Sequence, residues 1–246
     1  MIIRVSVFGI FLLFTLSVIA QPSLEEAYKS YLLGDWGNSL FEGLEIEKTS
    51  PSPQIFYLLG MNYLKLEDFP RARDYFRKVI KNFPQSKLYE SSFIKLGDAY
   101  FLEEDFNKAI LTYEYVLKNF PSTQFKPLIY LRLAQSYAKQ GLWGKERVYI
   151  DKIKKEYPES VEKKYAEILE KRGFFFTIQV GAFSHKKNAL RVVKRLKKRY
   201  PVYLVKERFG DLLLYKVRVG KFKERKRAED IASSLIDKGY PARIYP

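Results

Sequence analysis

At 246 residues, 47% hydrophobic and 29% charged, the chain has apolar material for one large or two modest folded domains and is excluded from the disordered class. It contains no cysteine, which excludes disulfides, thiolate metal sites, cysteine nucleophiles and a lipid anchor on an N-terminal cysteine. The net charge of +16 is concentrated at one end: residues 174–246 carry 19 Lys/Arg against 6 Asp/Glu, whereas residues 21–173 carry 24 against 22.

Such a basic end expects an anionic partner: nucleic acid, a membrane surface or a carboxylated polymer. Residues 1–20 decide which of these is reachable. Arg4 supplies a short positive start, and Val5 to Ile19 is apolar apart from Ser6, Gly9, Thr15 and Ser17. Val18-Ile19-Ala20 fits a small-residue cleavage site, so residues 1–20 read as a secretory signal peptide processed after Ala20. The apolar run is shorter than the roughly 20 residues a spanning helix needs. Export places the mature protein in the periplasm, with membrane attachment only if the segment stays uncleaved.

From Ser23 to Arg172 the pattern is helical and repeats. Leu59-Gly60, Tyr63, Phe69, Phe76 and Phe83-Pro84 recur as Leu96-Gly97, Tyr100, Phe106, Tyr113 and Phe120-Pro121 at a shift of 37. A further shift of 37 gives Leu133-Ala134, Tyr137, Trp143, Ile150 and Tyr157-Pro158. A fixed period of this size means stacked helical hairpins. The Gly or Ala in each first helix lets the partner helix approach, the aromatic six residues after each Tyr marks the turn, and each Pro stops the second helix. Residues 24–48, with Tyr31 and Trp36, read as a degenerate first hairpin, and Ser160–Arg172 as a capping helix.

These residues resemble the tetratricopeptide repeat, with Ala72 and Ala109 at its small position and Pro84, Pro121 and Pro158 at its terminal proline. Glu146 replaces the small residue and Val79, Val116 and Ile153 replace a usual alanine, so the last repeat is expected to pack loosely. The Phe-Pro-x-Ser ending at Phe83–Ser86 is similar to periplasmic repeat proteins, including barrel-assembly lipoproteins and a Tol–Pal-associated coordinator of envelope constriction. The resemblance implies a concave groove for a protein or peptide, lined by Tyr57, Met61, Ile94, Asp98, Phe101, Leu131 and Gln135.

Gly173 marks the change from helical to alternating pattern, giving a repeat domain at 21–172 and a second domain at 173–246. The latter reads strand 174–181, helix 185–199, strand 201–208, a turn at Phe209-Gly210-Asp211, strand 212–219, helix 224–238 and strand 240–245. Ser184 stands where it can cap the first helix, whose Leu190, Val193 and Leu196 are expected to face the sheet. In the second helix, Ala228, Ile231, Ala232 and Leu235 form the buried stripe. With both helices on one side, Phe176, Ile178, Val180, Tyr215, Val217 and Val219 go to the core. Thr177, Gln179, Leu214, Lys216 and Arg218, with Arg243 and Tyr245, go to a bare side. An amide, guanidinium groups and aromatic edges on one surface suit an extended polar polymer with carboxylates and sugar rings.

Gln179-Val-Gly-Ala-Phe183 before one helix and Tyr215-Lys-Val-Arg-Val-Gly-Lys-Phe222 before another resemble the SPOR domain over residues 174–246. The fold class expected is therefore mainly α, a solenoid of helical hairpins followed by an α+β domain of β-α-β-β-α-β order. The resemblance implies binding to septal peptidoglycan, on glycan strands stripped of stem peptides. The family's binding positions fall at Gln179, Ala182 and Leu214; joined with the bare-side reading, the expected site comprises Gln179, Gly181, Ala182 and Phe183 of the first motif, Leu214, Lys216, Arg218 and Gly220 of the second, and Arg243 and Tyr245. Some family members carry Ser at the Ala182 position and Trp at the Leu214 position, so sugar stacking can shift to Tyr245 or Phe175.

The resulting expectation is a non-enzymatic periplasmic peptidoglycan-binding protein whose repeats hold a protein partner, with no cofactor and no metal. The alternative is a repeat scaffold in outer-membrane or Tol–Pal-type assembly with the basic domain as a weak wall tether. Single-stranded nucleic acid fits poorly, because Gln179, Lys216 and Arg218 stand where RNA-recognition sheets carry aromatics. An enzyme fits worse still. His185 has no Asp or Ser partner in a triad-like order, and Glu103-Glu104-Asp105 reads as a turn with Asp105 capping the next helix.

Overall fold

The computed structural model describes residues 22–246 except Asp211; the expected signal peptide, residues 1–20, and its expected processing after Ala20 lie outside the described residues. Among the described residues, four helical hairpins come first. They are α1 (Leu24–Leu32) with α2 (Trp36–Thr49), α3 (Pro53–Lys65) with α4 (Phe69–Asn82), α5 (Tyr89–Leu102) with α6 (Phe106–Asn119), and α7 (Lys126–Lys139) with α8 (Trp143–Glu156). A ninth helix, α9 (Val161–Arg172), closes the array.

Local chemistry sets these boundaries. Ser23 and Glu26 form a reciprocal capping box on α1, and Asp35, Asp68 and Asp105 each accept an N-terminal backbone N–H of the following helix. The second helices end at Phe83, Phe120 and Tyr157, each followed by proline. Close approach within hairpins needs the missing side chains: a Cβ on Gly60 would meet the Phe76 ring at 2.7 Å, and one on Gly97 the Tyr113 ring at 2.6 Å. Phe76 and Tyr113 are fully buried, so each repeat presses an aromatic into the notch its partner helix leaves.

The last hairpin is not loose. Leu133, Ala134, Ile150 and Ile153 are inaccessible to solvent. Glu146, at the expected small position, is itself fully buried and ion-paired to Arg172 of α9 at 3.1 Å. An ion pair to the capping helix fills the place of the small residue, which corrects the expectation of slack packing.

The C-terminal unit runs β1 (Phe176–Phe183), α10 (Lys186–Leu196), β2 (Val202–Phe209), β3 (Leu212–Phe222), α11 (Arg225–Ile236) and β4 (Arg243–Tyr245). Its four strands form an antiparallel sheet in the order β2-β3-β1-β4. Both helices cover one side, over a core that includes Phe176, Ile178, Val180, Val217 and Val219. Several details depart from the sequence reading: β1 and β3 run on to Phe183 and Phe222 instead of ending at 181 and 219, α10 ends at Leu196 instead of 199, and β4 begins at Arg243 instead of 240. Leu190 is 46% exposed, and the buried stripe of α10 runs instead through Ala189 and Leu196 with Val192 and Val193 packed beside them. The N-cap of α10 is His185 rather than Ser184, and no side chain caps it.

Candidate functional site

Strand register defines the helix-free side of the sheet. Gln179 lies opposite Arg218 on β3 and Arg243 on β4, Thr177 lies opposite Tyr245, and Ala182 lies opposite Lys216. On the outer strand Tyr203 faces Arg218, Val205 faces Lys216 and Glu207 faces Leu214. Thr177 is buried, donating to the Val219 carbonyl (3.3 Å) and accepting from the Tyr203 hydroxyl (2.8 Å). Lys216 is ion-paired to Glu207. The Arg218 guanidinium sits 5.4 Å from the Tyr245 ring centre, and the Lys221 ammonium 4.7 Å from that of Phe175. Two polar atoms here, Gln179 Oε1 and Arg218 Nε, are shielded from solvent and have no hydrogen-bond partner.

Phe183 and Gly220 do not belong to this surface. Phe183 lies opposite Tyr215 and packs into the helix-covered core. Gly220 is a buried bend with φ +69°, its N–H donating to the Pro201 carbonyl at 2.8 Å. Gly181 is half-buried, and a Cβ there would meet the Phe183 ring at 2.7 Å. These three residues shape the sheet, whereas Gln179, Ala182, Leu214, Lys216, Arg218, Arg243 and Tyr245 share its helix-free side.

That side is free of helices from its own domain but is not bare. The repeat array docks beside it, through a small set of contacts. The Trp143 ring lies 4.9 Å from that of Phe176, and its indole N–H donates to the Lys223 carbonyl at 3.1 Å. Arg225 donates to the Lys139 carbonyl at 3.1 Å and approaches Glu104 at 3.6 Å. Gly141, at φ +74°, lets the turn between α7 and α8 sit against Phe176; a Cβ would come within 2.8 Å of that ring.

Docking at this edge holds the sheet face over the inner surface of the last repeats and leaves a cleft of about 730 Å³ between them. One wall is the sheet, with Phe175, Tyr203, Val205, Arg218, Lys221 and Tyr245. The other is helical: Arg132, Gln135 and Lys139, at i, i+3 and i+7 on α7, and Ile168, Lys171 and Arg172, at i, i+3 and i+4 on α9. Among the described residues Glu207 is the one acidic side chain lining it, and it is already paired to Lys216. Burial lowers the Lys139 and Arg172 pKa values from their ordinary positions. Glu104 offsets this in part at Lys139, whose nearby Arg225 and Arg172 add to the lowering; Glu146 offsets it in part at Arg172, where Arg218 adds to the lowering.

The expected array groove divides. Ile94 and Leu131 are buried and belong to the core between helices. Tyr57 is half-buried, its ring edge-on to Phe76 at 5.6 Å. Asp98 accepts from the buried Tyr113 hydroxyl (2.8 Å) and pairs with Arg132 (3.0 Å) and Lys95 (3.1 Å). Met61, Asp98 and Phe101 line a crevice of about 240 Å³, and Phe101 and Gln135 line the larger cleft. Phe101 and Arg132 line both, so the two spaces are neighbours on one inner surface.

Sequence reasoning missed Tyr203, Val205 and Lys221 on the sheet wall and Lys139, Lys171 and Arg172 on the helical wall. The i, i+2 alternation of Tyr203 and Val205 was available as a signal. The residues offered and set aside as catalytic are placed as local structure. His185 is exposed, with Ser184 Oγ 3.0 Å from its Nδ1. Asp105 caps α6, Glu103 pairs with Arg73, and Glu104 takes a left-handed φ of +65° at the interhelix turn. Among the described residues no cluster of three or more His, Cys, Asp or Glu could hold a metal ion, and no helix is long and apolar enough to cross a membrane.

Residues 173–244 match the family model described as the SPOR domain, and residues 54–86, 91–123 and 129–160 each match a tetratricopeptide repeat. No curated protein matches the chain. Among solved structures, pilF of Pseudomonas aeruginosa is similar at 15% identity and a TM-score of 0.44, over 61% of this chain and 68% of that one. A thermophilic tetratricopeptide-repeat protein of Thermus thermophilus is similar at 16% identity and 0.48, over 72% and 89%. SPOR domains are a peptidoglycan-binding family, and both kinds of module are non-catalytic binding units.

Proposed function

For a chain that joins three tetratricopeptide repeats to a C-terminal SPOR domain, we propose a periplasmic, non-enzymatic protein that docks on peptide-free glycan strands at the division septum. The observation that carries this reading is the row Gln179, Arg218 and Arg243, adjacent across three strands on the helix-free side. Glycan strands without stem peptides keep a lactyl carboxylate on each muramic acid. Guanidinium groups can meet that carboxylate, the Gln179 amide can meet hydroxyl or acetamido groups, and Tyr245 can cover a sugar ring. The unpartnered Gln179 Oε1 and Arg218 Nε are groups that such a ligand would satisfy.

The repeat array, in this reading, also holds another envelope protein. The crevice at Met61, Asp98 and Phe101 favours that second role, because it offers an apolar floor beside charged Lys95 and Arg132. The test is co-sedimentation of residues 21–246 with amidase-treated and with intact sacculi. Retention should be several-fold greater on treated sacculi and should fall with Gln179→Ala. Equal or absent retention overturns the reading.

A further inference from the structure

We propose that the glycan site has two walls, and that the helical array supplies the second one. Lys139 and Lys171 then contact the same strand that Arg218 and Lys221 hold from the sheet. This deepens the cell-wall reading above and rests on it.

The charges of the two walls argue for a ligand between them. Two surfaces made to cover each other carry opposite charge or matched apolar area. These carry the same sign. Lys139 and Lys171 on the helical side and Arg218 and Lys221 on the sheet side have no ion pair among the described residues. Glu207, the one acidic lining residue among those described, is matched by Lys216. Like charges facing across a water-filled gap repel unless an anion stands between them. The contacts that hold the domains together, Trp143 to Phe176 and Lys223 and Arg225 to Lys139, lie at one edge of the sheet and leave the gap open.

The cleft also has the right chemistry for a sugar polymer. Its volume of about 730 Å³ falls within the range of small-ligand sites, roughly 300–1,000 Å³. Phe101 and Gln135 from the array face the same space as Tyr203 and Tyr245 from the sheet, so both walls offer an aromatic ring and a polar group. Arg172 Nε is shielded and unpartnered, as is Arg218 Nε across from it. A strand of alternating neutral and carboxylated sugars meets these demands together.

The experiment measures binding of the full mature chain to soluble, peptide-free glycan strands, to uncharged N-acetylglucosamine oligomers and to a single-stranded oligonucleotide. The variants are K139Q/K171Q on the helical wall and R218Q on the sheet wall; the Arg225 bond uses the Lys139 carbonyl, so the first variant leaves the docking contact in place. Far-ultraviolet circular dichroism checks folding. Both variants should lose about tenfold in affinity for peptide-free glycan, with a shallower salt dependence and little change toward uncharged oligomers. If R218Q weakens binding and K139Q/K171Q does not, the two-wall proposal falls and the cell-wall reading stands. Tighter binding by K139Q/K171Q would make the array a cover rather than a wall, and equal affinity for the oligonucleotide would make the cleft a general anion trap; either overturns it. No binding of peptide-free glycan by the unaltered chain defeats the cell-wall reading itself.

Discussion

The two halves of this molecule treat charge in opposite ways. In the repeat array 24 basic side chains meet 22 acidic ones, and many pair off within a helix or across a repeat, as Lys78 does with Glu47 and Arg73 with Glu103. In the terminal domain 19 basic side chains meet 6 acidic ones, so most have nothing of their own to pair with. The array comes close to charge balance within itself, and the sheet domain carries a surplus for something else to meet. Lys139 and Lys171 turn unmatched charge toward a domain that already has too much. The placement of those two lysines, facing Arg218 and Lys221 across the cleft, marks it as a place for an anion more than the overall basicity does.

The comparison is broken most severely at the joint. Trp143→Ala removes a ring packed on Phe176 and the donor to the Lys223 carbonyl. Buried Trp→Ala changes cost about 3–5 kcal/mol, and the half-buried position of this one puts the expected loss near 3 kcal/mol. The loss should fall on the coupling between halves rather than on either core. Calorimetry should show one unfolding transition splitting into two, with the array melting close to its original temperature. A single transition, shifted as a whole, would mean that the array and the sheet domain are not separable units.

A smaller effect sits inside the array, where the charge matching of Glu146 is buried. Desolvation pushes Glu146 up to about 7 from the usual 4.5, with Arg172 and Arg147 pulling the other way. A carboxyl whose folded pKa lies above its unfolded one binds protons more tightly when folded. Its stabilising contribution is therefore full below about 4.5 and is lost as pH rises through about 7. Glu146→Gln keeps the shape without the ionisation. It should match the native protein at pH 5 and exceed its stability at pH 8 by about 2 kcal/mol, read from urea midpoints. A variant less stable at pH 8 would show that the pair with Arg172 outweighs desolvation.

That buried pair also shows where reading the sequence stops. A shift of 37 placed the last three hairpins, because each of those repeats uses the same few contacts: Gly97 against Tyr113 restates Gly60 against Phe76. Alternation placed Gln179, Arg218 and Tyr245 on one side, because strand geometry fixes sides by parity. Both signals are local. Glu146 broke the repeat pattern and read as slack, since its partner Arg172 lies 26 residues away in a helix outside the repeat. The sheet's open side read as bare because parity reports which side a residue takes and not what stands opposite. One residue did carry a hint of the docking. Trp143 stands where the other repeats have Phe69 and Phe106, and its extra N–H is what reaches Lys223.

The smallest expected effect is the most discriminating. Lys187, Arg191 and Lys194 lie on the outer side of α10, away from buried Ala189 and Leu196, and are all exposed. Replacing the three with glutamine removes more charge than K139Q/K171Q does, but from the wrong side of the sheet. A helix with its side chains is about 10–12 Å across, so these charges stand beyond the Debye length of about 8 Å at physiological salt from any ligand in the cleft. Affinity for peptide-free glycan should change by less than about twofold at that salt, and only the association rate at low salt should slow. A loss matching that of the cleft variant would mean that diffuse positive charge does the binding. The unmatched residues facing the array would then have no special standing, and the contrast between the two halves would reduce to net charge alone.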